Sequence, residues 1–336
     1  MKKNYKNILV YSGGEAIGDA LYKLKFIQNL RHAFPNSEIS WLAGQGSTQY
    51  SKSLKPIIKK FLNEIIDNKQ VGASPFKELF FRSPLYGKNY DVIIDTQTVV
   101  LPTICVKKIK HNIFLSSTAN WYFSDLKPIN FSIKNSSLNK RLEIFIELLT
   151  EKEMSSKKFK YNFKLDKKYY DLAKNILPKG PTYIGFSPGA GDDSKKWPLE
   201  KFLKLAKIQL KNNRIPLFFL GPKEKTLLKI IKKEIPNAIF PEWTDKALNS
   251  GLKGPLLAIA LAKQVNISVA NDSGTGHMLA VGGTKLISLF SKHSPVKYAP
   301  NAEHLIIIDS KKWGGTNPDL IPIEEVENSI NKFILI

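Results

Sequence analysis

The sequence predicts an α/β protein made of two doubly wound parallel-sheet domains. Three observations carry this reading. Short β-branched or apolar runs alternate with helical patterns from end to end, as in sheets covered by helices on both faces. At 336 residues the chain is longer than one hydrophobic core usually serves. Near its half-way point, Lys152 to Lys168 is rich in lysine and serine with little periodicity, and reads as a connection.

The predicted strands of the first half are Asn7–Tyr11, Ile39–Ala43, Asp91–Thr96 and Asn112–Leu115. Those of the second are Tyr183–Ser187, Pro216–Leu220, Ile267–Ala270, Lys285–Phe290 and Leu305–Ile308. Between them lie stripes with a period near 3.6. One is Ala20, Leu24, Ile27, Leu30 and Phe34, closed by Pro35-Asn36; another is Phe202, Leu205, Ala206 and Leu210, opened by Pro198. The domain reading is 1–160, then 161–320, then a C-terminal helix within 321–336 that is able to pack back across the junction.

Lysine and arginine number 51 against 29 acidic residues, a formal charge of +22. Lysines on solvated faces are one explanation, and an anionic membrane surface is another. No arginine-rich or aromatic-basic stripe is present, so nucleic acid is not an expected partner. Cys105 is the only cysteine, which fits a reducing cytoplasm. The apolar run Ile8–Tyr11 is too short for a signal-peptide core and reads as a buried strand. No stretch has the apolar length to span a bilayer, so membrane contact is expected to be peripheral, on the inner face of the cytoplasmic membrane. Lysines would supply it, together with exposed aromatics such as Trp121-Tyr122-Phe123.

In open α/β sheets ligands bind beyond the carboxyl ends of the strands, so the loops there are where chemistry is sought. The first is Ser12-Gly13-Gly14-Glu15-Ala16-Ile17-Gly18-Asp19. A dinucleotide fingerprint beginning at Gly13 needs glycine where Glu15 stands, which disfavours a nicotinamide enzyme. A P-loop needs Lys and Ser/Thr where the chain has Asp19-Ala20. Carboxylates at a helix mouth repel phosphate. Asp19 is therefore either a helix N-cap or a carboxylate placed to accept a proton from an attacking hydroxyl.

The second loop, Ser187 to Pro198, contains Gly189 and Gly191 and the lysines Lys195 and Lys196. It is either a plain turn or an anion cradle of backbone N–H groups with a lysine beside them. The third, Asn271-Asp272-Ser273-Gly274-Thr275-Gly276-His277, precedes a small-residue helix and offers a second cradle. His277 has no His or Cys partner at ligand spacing and the chain has no Asp-x-Asp, so no metal site is expected and no cofactor is required.

Taken together, these loops resemble glycosyltransferase family 9, the ADP-heptose:lipopolysaccharide heptosyltransferase family, with its GT-B pair of Rossmann-like domains. The residues that carry the likeness are Ala16-Ile17-Gly18-Asp19, Leu30 to Pro35, Tyr90 to Asp95, Ser187-Pro188-Gly189-Ala190 with Lys195-Lys196-Trp197-Pro198, and Asn271 to Gly274 with His277 and Leu289-Phe290. The resemblance implies Asp19 as general base, with Gly14 and Gly18 in an acceptor-side loop. It implies Gly189, Ala190, Lys195, Glu224, Asp272, Ser273, Gly274, Thr275 and His277 on the donor side, with Lys195 at the diphosphate and Glu224 at the ribose. Gly13-Gly14-Glu15 and Ser291-Lys292-His293-Ser294-Pro295 depart from the family pattern.

The expectation is an inverting, metal-independent transfer of heptose or a related sugar from a nucleotide-diphosphate donor to a lipopolysaccharide-type or other envelope glycan. The domains would face an interdomain cleft, the first binding acceptor and the second donor. Alternatives are a GT-B-like epimerase, a transferase with another donor sugar, or a sugar-nucleotide-binding protein without turnover.

Overall fold

The computed structural model describes residues 4–81, 83, 85–129, 136–153 and 161–335. Within the predicted connection 152–168, residues 154–160 lie outside the described residues, and so does the predicted boundary at residue 160. The chain divides into two compact units, Met1–Phe163 and Lys164–Ile336.

The first unit holds a five-stranded sheet of β1 (Asn7–Ser12), β2 (Glu38–Ala43), β3 (Glu64–Asp67), β4 (Asn89–Asp95) and β5 (Lys110–Ser116), in the order β3-β2-β1-β4-β5. All of its pairings are parallel. Residues Ile8 to Tyr11 of β1 are fully buried, because helices cover both faces of a parallel sheet, and this is why the strand reads as one unbroken apolar run. β3 was not legible: Glu64-Ile65-Ile66-Asp67 has two apolar residues and lies at the sheet edge.

The second sheet contains β6 (Tyr183–Ser187), β7 (Ile215–Phe218), β8 (Ile267–Asn271), β9 (Lys285–Phe290) and β10 (Leu305–Asp309), again all parallel, in the order β10-β9-β8-β6-β7. β7 tolerates Pro216 because an edge strand can spare one ladder donor. Strand order reverses between β1 and β4 in the first unit, and between β6 and β8 in the second. Those are the switch points at which a crevice opens beyond the strand ends.

Helix Ile17–Ala33 buries Ala20, Leu24, Ile27 and Leu30, the stripe that its spacing predicts. Helix Leu199–Lys211 follows Pro198, which stands at its N-cap rather than inside its first turn. Helix Ile323–Ile334 places Val326, Ile330 and Phe333 in the second unit's core, beside Trp197, Phe202 and Ile321. Among the predicted exposed aromatics Trp121 requires correction. It is 2% exposed and meets Phe145 edge-on at 5.2 Å, whereas its neighbour Tyr122 is 74% exposed. Further large exposed aromatics of this unit are Phe76, Phe80, Phe81 and Tyr86, on and shortly after helix Pro75–Phe80.

Candidate active site

At the first switch point β1 ends in a turn that needs its glycine. Gly14 has φ +125°, and a Cβ there would stand 3.2 Å from the Ser47 carbonyl oxygen. Glu15 then turns inward. It is buried, forms a parallel bridge with Thr48, and its carboxylate lies 3.3 Å from Lys23 Nζ and accepts from Trp41 Nε1 at 3.4 Å. Lys23 also donates to Ser12 Oγ at 2.7 Å. The departure at Glu15 is therefore a buried brace for the loop and not an acceptor contact.

The brace leaves helix Ile17–Ala33 starting from an N-cap at Ala16 that makes no side-chain cap bond. The N-cap alternative for Asp19 is thus replaced. Asp19 is exposed at the third helical position, after Gly18, where the positive end of the helix dipole favours a carboxylate.

The loop after β4 lies alongside. Thr96 donates to the Tyr11 carbonyl through both N–H (3.1 Å) and Oγ1 (3.0 Å). Asp95 is fully buried and accepts from Thr103 Oγ1 (2.6 Å), Ser116 Oγ (3.0 Å) and the Gln97 N–H (2.8 Å). Burial pushes its carboxyl up to about 6, and these hydrogen bonds pull the other way.

At the second switch point Asn271, the last residue of β8, ties the two cradles together. Its Nδ2 donates to the Pro188 carbonyl at 2.9 Å and its Oδ1 accepts the Trp197 N–H at 3.1 Å. Trp197 is held from its other side by an indole bond to the Ile321 carbonyl, 3.0 Å. Anchored in this way, the intervening loop brings Lys195 Nζ to 3.4 Å from Asp272 Oδ2. Lys195 faces inward, while Lys196 pairs with Asp193 at 2.7 Å and is more exposed.

Ser273 caps helix Gly274–Gly282, its hydroxyl accepting from Gly276 N–H, so Gly274 and Thr275 form the first turn of an anion-suited helix N-terminus. His277 is buried inside the same helix. Burial pushes it down to about 4, against the opposing pull of Asp272, so it is neutral at pH 7 and brings no positive charge to a phosphate.

Glu224 packs over two glycines. A Cβ on Gly189 would stand 2.7 Å from Glu224 Oε1, and one on Gly221 would stand 2.9 Å from Oε2. Ala190, Gly191, Lys196, Lys223, Glu224 and Leu227 line a cavity of about 260 Å³. Behind it, burial and the neighbouring Glu224 push the Glu242 carboxyl up to about 7. Among the described residues no group of three or more His, Cys, Asp or Glu side chains is placed to hold a metal ion.

Asn271, His293 and Glu242 are site residues that sequence reasoning did not single out. Asn271 was visible only as the first residue of the third loop, with no role of its own, and a strand-terminal asparagine before an aspartate was the one available signal. Nothing in the spacing joined His293 or Glu242 to residues 21 and 18 positions away.

Two doubly wound units with anion-suited loops at the switch point of the second have the architecture of GT-B glycosyltransferases. The sequence model of glycosyltransferase family 9 (heptosyltransferase) matches residues 80–318, and the chain belongs to that family. The lipopolysaccharide core heptosyltransferase OpsX of Haemophilus influenzae is 23% identical over 291 residues, 85% of this chain and 79% of that protein. Lipopolysaccharide heptosyltransferase 1 of Escherichia coli K12 is 22% identical over 290 residues, 83% of this chain and 86% of that protein. Among solved structures, a family 9 glycosyltransferase from Veillonella parvula superposes with TM-score 0.73 at 18% identity, covering 100% of this chain and 99% of that one. The E. coli heptosyltransferase WaaC, solved with ADP, gives 0.68 at 16% identity, covering 97% and 99%.

Proposed function

We propose that this chain transfers heptose, or a closely related sugar, from an ADP-type donor to a lipopolysaccharide-type acceptor with inversion. The observation that carries the reading is the Lys195–Asp272 contact, which joins two anion-suited loops at the switch point of the second sheet. In this reading the leaving diphosphate is met by Lys195 and by the N-terminus of helix Gly274–Gly282, the Glu224 carboxylate takes the ribose hydroxyls, and Gly189 and Ala190 let the backbone approach. Asp19 accepts the proton of the acceptor hydroxyl as that oxygen attacks the anomeric carbon and the sugar–phosphate bond breaks. The donor and acceptor classes come from the relatives' activities.

Among the described residues no helix is long and apolar enough to cross a membrane. Peripheral contact with an anionic bilayer is assigned to Phe76, Phe80, Phe81 and Tyr86, with Lys77 exposed beside them.

The reading is tested by thermal unfolding with a panel of ADP-, UDP- and GDP-sugars. ADP-heptose should raise the midpoint most, since a ligand bound only by the folded state stabilises it by mass action. A larger rise with a UDP- or GDP-hexose would replace the donor assignment.

A further inference from the structure

The loop after β9 carries His293, one of the residues at which the chain departs from its family. His293 Nδ1 stands 2.9 Å from Asp272 Oδ2, the same oxygen that Lys195 Nζ approaches at 3.4 Å. The Asp272 side chain is only 10% exposed, and among the described residues this oxygen accepts no well-aligned hydrogen bond. A buried carboxylate oxygen in that position depends on nearby cations for compensation. Asp272 is flanked by one permanent cation and by one group able to become a cation. With both charged, the cluster carries one net positive charge.

A carboxylate facing a diphosphate would repel it, so Asp272 is poorly suited to touch the donor phosphates itself. Its geometry suits holding other groups toward them. With Nδ1 turned to Asp272, Nε2 is the imidazole nitrogen left for a ligand, on a side chain 36% exposed. The ring is steadied by Tyr298 at 5.2 Å between centroids, and Lys311 Nζ reaches the His293 carbonyl at 3.5 Å. The other charged or titratable groups around the cluster are Lys292, turned to Asp192 at 3.8 Å, and the buried His277 on the helix that follows Asp272.

We propose that His293 is a second cationic contact for the donor diphosphate, and that Asp272 is a positioning residue holding His293 and Lys195 for that task. This rests on the donor reading above.

The test is calorimetric titration of ADP with the wild type, His293→Ala and His293→Arg, each with a thermal-unfolding control. His293→Ala should bind about tenfold more weakly, as for loss of one charge-assisted contact. His293→Arg should keep most of the affinity, an outcome that a merely structural histidine would not give. Unchanged affinity in His293→Ala, or an affinity in His293→Arg as low as in His293→Ala, overturns the inference and leaves the donor reading standing. Failure of the wild type to bind any nucleoside diphosphate overturns both.

Discussion

Asn271 and Trp197, 74 positions apart, are joined by a 3.1 Å bond from the Trp197 N–H to the Asn271 side-chain oxygen. The second bond of Asn271, to the Pro188 carbonyl, means that one amide side chain sets the path of the loop carrying Lys195. Asn271→Asp keeps the acceptor, loses the donor and buries a carboxylate against a carbonyl oxygen. It should lower stability by about 2–4 kcal/mol, read by denaturant unfolding, and should weaken ADP binding. An Asp variant as stable as the wild type would show that the loop needs no such tie.

Asp19 occupies an exposed position in the first turn of its helix. Asp19→Asn should therefore leave stability within roughly 0.5 kcal/mol and ADP affinity unchanged, as for a surface substitution. Turnover should fall by roughly two to four orders of magnitude, the worth of a positioned base. Single-turnover kinetics beside calorimetry separates the two effects, and near-normal turnover would remove the base assignment.

Lys195 and Lys196 are neighbours with different surroundings, one turned to Asp272 and the other paired with exposed Asp193. Lys195→Ala should weaken ADP by about 1.5–3 kcal/mol, the range for a hydrogen bond to a charged group. Lys196→Ala should cost far less. The reverse ranking in a titration of both variants would move the diphosphate contact by one residue.

The lipid contact proposed for Phe76, Phe80, Phe81 and Tyr86 gives a further prediction. Replacing Phe80 and Phe81 together by serine should reduce partition onto anionic vesicles roughly tenfold or more, from the apolar area lost. Rising salt should weaken wild-type partition as lysine attraction is screened. Vesicle sedimentation reads both, and a double variant that binds like the wild type would place the contact elsewhere.

Asp95 gives a pH signature. Its carboxyl is raised in the fold, so between about pH 4 and 6 the folded state holds more protons than the unfolded chain, and stability falls as pH rises through that window. The cost is about 3 kcal/mol for a shift of this size. His277, lowered in the fold, slopes the other way and lies in the second unit. The difference between wild type and Asp95→Asn therefore isolates Asp95. That difference should change across pH 4 to 6 and level off above it, and a flat difference would contradict the assignment.

Much of this was legible in the sequence because buried parallel strands and one-sided helices write their periodicity directly. β1, β6 and β9 are examples, each buried nearly throughout. The edge strand β3 was not, since half of its residues are charged. The loops Ser187–Pro198 and Asn271–His277 read as candidate anion cradles, the first by its glycines and lysines and the second by its glycines and small hydroxyl residues. What a loop residue faces was not legible. Glu15 was legible only as a departure from the family pattern and is buried, and Trp121 looked like a surface aromatic and packs on Phe145. Such facing depends on partners such as Lys23, Trp41 and Asn271, whose roles are set by tertiary distance and not by spacing.

The Glu15–Lys23 pair has a consequence for anyone exchanging parts among these enzymes. The opening loop and the second turn of the following helix share one buried charge balance, so neither is an independent module. A chimera that imports an opening loop without a carboxylate at position 15 while keeping Lys23 strands an ammonium beside Ser12 and Trp41. Loop grafts here succeed only when position 23 travels with position 15.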